Sequence, residues 1–199
     1  MGLVTLISIV AGMVTIAGGV VALVKYLQKR PSKTVSSDFL NLNMLGRHQE
    51  ALIACKKAIR ANPNDASAYT NLSWALNALG HHQEALDASQ QAIHITSNNA
   101  AAYYNQGWAL HEFRRYYDAL RAHEKAIFLD SSFAPAYKGR GDDLAALGRD
   151  DEALAAYNQS ILLDPSFGPA YKSKGNLLQR LSRPQEAQQA FEKAWRYEQ

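Results

Sequence analysis

The sequence is poor in the residues that usually announce chemistry. It has one cysteine, Cys55, which excludes an intramolecular disulfide and any multi-cysteine zinc site. No glycine-rich phosphate loop and no serine nucleophile elbow occur. The six histidines do not fall at zinc-ligand spacing: His81 and His82 are adjacent, and His48, His94, His111 and His123 stand at unrelated intervals. Acidic residues are absent before Asp38, whereas Lys25, Lys29, Arg30 and Lys33 crowd the same region. Beyond those four, 17 basic residues face 18 acidic ones, so the body of the chain is close to neutral. A nucleic-acid-binding domain needs a basic face, and this body has no basic excess to build one. The sequence therefore predicts no metal, no cofactor, no nucleic-acid partner and no enzymatic activity.

What is present begins with a long apolar run. Residues 3–24, LVTLISIVAGMVTIAGGVVALV, carry no charge. As a helix they would span about 33 Å, enough for a hydrocarbon core of roughly 30 Å. A cleaved leader is the rival reading, with Val20-Val21-Ala22 as a weak cleavage site. Leaders, however, place basic residues before a shorter apolar stretch, and here they follow a longer one. Residues 1–25 are read as a single transmembrane helix and 26–35 as a basic juxtamembrane linker. Positive residues stay on the cytoplasmic side, so the C-terminal domain is expected in the cytoplasm, as for a bacterial inner-membrane protein. Small residues at four-residue spacing (Ala11, Thr15 and Gly19; Gly18 and Ala22) would allow two such helices to approach closely.

The remainder repeats. Windows beginning at residues 66, 100, 134 and 168 share a period of 34. Ala68-Tyr69, Ala102-Tyr103, Ala136-Tyr137 and Ala170-Tyr171 occupy positions 3 and 4 of their windows. Position 8 is small (Ser73, Gly107, Gly141, Gly175), and position 20 is alanine (Ala85, Ala119, Ala153, Ala187). A preceding window, 32–65, keeps the second half of the pattern with Gly46, Ala51, Ala58 and Pro63. Glycine inside a helix costs about 1 kcal/mol against alanine. Three in one register imply a close helix crossing, with the alanine of position 20 expected against the gap. Position 15 reads Gly46, Gly80, Arg114, Gly148 and Ser182, a left-handed stop for the first helix of each unit. Asn62-Pro63 and Asp164-Pro165 end second helices. First helices of about fourteen residues and somewhat shorter second helices follow from that punctuation. Ser36-Ser37-Asp38 offers a helix start. Phe39, standing where a small residue is wanted, suggests a register shift in the first unit.

This pattern resembles the tetratricopeptide repeat, a helix-turn-helix unit of 34 residues. The resemblance implies an all-α solenoid over residues 36–199, with units 32–65 (degenerate), 66–99, 100–133, 134–167 and 168–199. It further implies that first helices line a concave groove through positions 2, 5, 6, 9 and 12, where a peptide or helix binds. On that basis Asn71 and Asn105 are expected to bond a ligand backbone. Tyr104, Lys138, Lys172 and Asn176 join them, the lysines favouring an acidic ligand. The Lys172/Asn176 pair resembles half of a clamp that some family members use for chaperone tails. Its other half would need a following unit, so that ligand is not carried over. Trp195 and Tyr197, on the last helix, are expected to form an interface, including self-association. The function expected is a membrane-anchored interaction scaffold or adaptor for a protein or peptide. An assembly subunit of a larger membrane complex is the alternative, and an enzyme with an unrecognised site is a third class.

Overall fold

The computed structural model describes residues 33–197 of the 199-residue chain. The predicted span 3–24 and the start of the linker lie outside the described residues. Among the described residues no helix is long and apolar enough to cross a membrane. The chain divides between Ser37 and Asp38. All described secondary structure is helical, with α1 covering Lys33–Met44 and α2 His48–Ala61. Four more hairpins follow: α3 Ala66–Ala78 with α4 His82–Ile95, and α5 Ala100–Glu112 with α6 Tyr116–Leu129. The last two are α7 Ala134–Ala146 with α8 Asp150–Leu163, and α9 Gly168–Arg180 with α10 Pro184–Tyr197. Because α1 already runs through residues 36–38, Ser36-Ser37-Asp38 is interior to a helix and not its start.

From α3 onward, first helices have 13 residues and second helices 14, the reverse of the expected order. Position 15 is left-handed in all five units: Gly46 (φ 71°), Gly80 (φ 79°), Arg114 (φ 58°), Gly148 (φ 75°) and Ser182 (φ 58°). That residue halts the first helix early, while the second runs unbroken to an extended residue such as Asn62, Thr96, Asp130 or Asp164. Asp65 and Asn99 cap α3 and α5 by accepting from Ala68 N and Ala102 N at 3.0 and 3.1 Å. In α7 and α9 a proline in the first turn, Pro135 and Pro169, replaces the cap, because it has no N–H to satisfy.

The small residue of position 8 has a partner that periodicity alone did not identify. A β-carbon built on Gly107 would lie 2.6 Å from the His123 ring. On Gly141 it would lie 2.5 Å from Tyr157, and on Gly175 2.6 Å from Phe191. All three rings occupy position 24 of the second helix, so the gap is filled by that ring and not by the alanine of position 20. Where position 24 is small, position 8 grows. Ser73 pairs with Ser89, both fully buried, and Ser73 Oγ donates to Ala85 O at 2.8 Å. In the first unit the volumes exchange: Phe39 at position 8 and Cys55 at position 24 share one buried cluster. The expected register shift therefore does not occur. A ring thus stands on one side or the other of this contact in four of the five units, and two serines take its place in the remaining one. Burial, with Asp65 adding to it, pushes the Cys55 thiol up to about 12, so it is an inert packing group.

Candidate functional site

First helices touch the first helix of the next unit all along the series α3, α5, α7 and α9. Second helices make no comparable contact with one another. Closer approach on one side bends the stack, so the first helices line its inner face. The first three units are joined there by asparagines. Asn43 Nδ2 donates to Asn71 O at 2.9 Å, and Asn77 Nδ2 donates to Asn105 O at 2.8 Å, in the same register one unit on. Asn71 Nδ2 donates back to Ser67 O at 2.9 Å, and Asn105 Nδ2 donates to Thr70 O at 2.9 Å. Asn105 is only 3% exposed and Asn71 is also buried. These side chains were expected to bond a ligand. Their amides instead donate to helix carbonyls within the stack, which gives the buried amide N–H groups their partners.

The ladder stops between the third and fourth units. Position 12 of the third holds His111 in place of asparagine, and position 6 of the fourth holds Gly139. His111 turns to Asp143, donating from Nδ1 to Oδ1 at 2.7 Å. The other oxygen of Asp143 accepts from His123 Nδ1 at 2.6 Å. Asp143 is 0% and His123 2% exposed. A carboxylate taken wholly out of water needs this compensation, and two ring N–H groups supply it. The neighbouring Asp142 anchors a parallel set. Its carboxylate pairs with Lys138 Nζ at 2.6 Å and accepts from Tyr157 OH at 2.9 Å. Burial works against the charge on Lys138, but Asp142 outweighs it and holds the ammonium above the usual lysine range. The bond to Asp143 raises His111 above the ordinary histidine value, against the opposing effect of burial. Burial raises Tyr104, with Asp142 adding to the shift and Lys138 opposing it.

Above these pairs the inner face opens into a recess of about 370 Å³. Trp74, Tyr104, Trp108 and Phe167 form its apolar walls, with Glu112 and Asp142 among its polar ones. That volume falls at the lower end of the range for small-ligand sites. One unit further on, Lys172 and Asn176 are exposed on the same face. Among the described residues no group of three or more His, Cys, Asp or Glu side chains is arranged to hold a metal ion.

Two matches to Tetratricopeptide repeat family profiles fall on this scaffold, at residues 134–167 and 54–87. The chain carries tetratricopeptide repeats. The match at 134–167 coincides with the fourth repeat, whereas the other bridges two repeats from α2 into α4. The crystal structure of MamA is similar at 28% identity and TM-score 0.60, over 79% of this chain and 92% of that one. TTC0263, a thermophilic tetratricopeptide-repeat protein of Thermus thermophilus, superposes at TM-score 0.75 with 23% identity, over 83% of this chain and 90% of its own. PilF of Pseudomonas aeruginosa follows at TM-score 0.66 and 19% identity, over 82% and 75%. The last two share the fold alone. No curated protein matches the chain.

Within the repeats, the structure brings Tyr104 and Lys138 into one recess and leaves Lys172 and Asn176 apart from it. Lys138 is paired with Asp142 and half-buried, so of the two lysines Lys172 alone presents an open charge. On the last helix Trp195 is 66% exposed. Tyr197 stacks on Tyr171 with ring centroids 5.9 Å apart, so it has a packing partner inside its own repeat, contrary to expectation. The residues not singled out from the sequence are Trp74, Trp108, His111, Glu112 and the Asp142-Asp143 pair as a buried network. A signal for most of them existed. Trp74, Trp108 and Asp142 occupy position 9 and His111 position 12, both among the positions expected to face the groove.

Proposed function

We propose that the chain is a protein-interaction scaffold held at a membrane surface, and that a peptide or helix lies along the inner face of α3, α5, α7 and α9. The observation that carries this reading is the recess between Trp74 and Phe167, an aromatic-walled concavity on the side of the stack where first helices converge. Tetratricopeptide repeats in solved structures of similar fold support a binding role over a catalytic one. Lys172, with Asn176 beside it, favours a carboxylate further along the same ligand. The uncharged run 3–24, followed by Lys25, Lys29, Arg30 and Lys33, supplies the anchor and sets the repeats on the cytoplasmic side.

Two measurements test these parts separately. A short peptide ending in two aspartates and a free carboxylate is expected to bind the full chain. Lys172→Glu is expected to weaken it roughly tenfold and to flatten its salt dependence. Affinity untouched by both Lys172→Glu and Asn176→Ala would remove this face as the acidic-ligand site. For the anchor, a reporter active only in the cytoplasm, fused after Gln199, is expected to give full signal from the membrane fraction. Signal from the soluble fraction, or from an exported reporter instead, would overturn the topology.

A further inference from the structure

The recess has a charge and a donor pattern that specify what fits it. Its aromatic surface comes from Trp74, Tyr104 and Trp108 on successive first helices, with Tyr104 and Trp108 centroids 6.4 Å apart. Indole and phenol faces carry negative quadrupoles and attract cations. Of the charged groups in the lining, Lys138 is cancelled by Asp142 at 2.6 Å. His111 and His123 both bond Asp143, so each of its two oxygens has a partner inside the stack. Glu112 is exposed and forms no ion pair among the described residues. Glu112 therefore places a carboxylate without an ion-pair partner, among the described residues, beside aromatic faces.

A second observation points the same way. His123 Nε2 is the buried side-chain nitrogen or oxygen, among the described residues, with no hydrogen-bond partner. Its ring is among the residues lining the recess, wedged between Gly107 and Gly139, where a β-carbon would come within 2.6 and 2.5 Å of Nε2. A neutral imidazole that donates from Nδ1 to Asp143 presents a lone pair at Nε2. That atom asks for an N–H donor and offers nothing to a carboxylate. Gly139 replaces the asparagine of the two preceding repeats at this position, which leaves room for the His123 ring.

We propose that this recess is a side-chain subsite for a cationic residue of the bound peptide, with the guanidinium of arginine as its best occupant. Arginine is planar, stacks on aromatic faces and carries five donors, so it answers the indoles, Glu112 and the unpartnered nitrogen together. Lysine satisfies the charge but stacks less well. The subsite rests on the reading of the inner face as a peptide groove, and adds that a ligand would carry its basic residue N- or C-terminal to any carboxylate held at Lys172.

The test uses the full chain in detergent micelles with Trp195→Phe, so that Trp74 and Trp108 report by fluorescence. Three blocked pentapeptides serve as probes, with arginine, citrulline or glutamate between alanines. The arginine peptide is expected to change the emission saturably and to bind about tenfold more tightly than its uncharged citrulline isostere, with the glutamate peptide weakest. Glu112→Gln, an exposed and isosteric change, is expected to reduce the arginine preference about fivefold. Trp74→Leu is expected to reduce it further without altering the far-ultraviolet circular dichroism. Equal binding of arginine and citrulline, or an arginine preference that survives both variants, would overturn the subsite. If the arginine peptide fails while the acidic peptide still binds through Lys172, the groove stands and the subsite falls. If neither peptide binds, both fall.

Discussion

Asp143→Ala is expected to cost the repeat domain about 3–5 kcal/mol, one of the largest losses available to a single substitution in this chain. The residue is 0% exposed and its two oxygens hold His111 and His123 at 2.7 and 2.6 Å. Removing the carboxylate leaves the Nδ1 of His123, itself buried, with no acceptor, and loosens the fourth repeat from the third. Asp143→Asn keeps the shape but accepts from one ring while presenting N–H to the other, so a loss of about 1–3 kcal/mol is expected. Urea unfolding followed by circular dichroism measures both. The same network makes stability depend on pH. His111 holds its proton more tightly folded than unfolded, chiefly through Asp143. Its contribution is therefore fully present below 6.5, the unfolded value, and is lost as pH rises through the higher folded value. The urea midpoint is expected to fall across that interval, and the fall to shrink in His111→Gln. A stability profile with no such fall, or wild-type stability in Asp143→Ala, would show that the carboxylate is dispensable.

Phe39→Gly should destabilise the first repeat by about 3–5 kcal/mol for the lost ring, with about 1 kcal/mol more for glycine within a helix. Cys55→Phe alone should overpack the same cluster and cost about 1–3 kcal/mol. Together they rebuild, in this repeat, the arrangement that Gly175 and Phe191 have in the last one. The double variant is therefore expected to be more stable than the sum of the single losses predicts, by roughly 1–3 kcal/mol. Strict additivity would mean that positions 8 and 24 do not share one volume. The alternation of Phe39/Cys55, Ser73/Ser89 and Gly141/Tyr157 would then have no packing explanation.

Much of the candidate site was legible in part. The period placed Trp74, Trp108 and His111 on the groove side, because side chains on one helical face recur at fixed positions of each repeat. It also placed Asn71 and Asn105 there, where burial rather than solvent awaited them. Facing the inside of a curved stack does not distinguish a side chain that reaches the groove from one that bonds the neighbouring helix. That depends on how closely two first helices approach, a distance no single repeat encodes.

The sequence by itself determined the hairpins and their order. Local chemistry suffices for this: a left-handed residue at position 15, an extended residue or proline after each second helix, and alanines in a fixed register. It also determined the uncharged run 3–24 and the basic cluster behind it, which are properties of composition alone. Tertiary structure decided which groups compensate one another. Asp143 meets one histidine 20 residues and another 32 residues away, and Phe39 meets the space left by Cys55 across a hairpin. Electrostatic pairing and steric fit act over a few ångströms in space. Their partners become fixed only when the helices are packed.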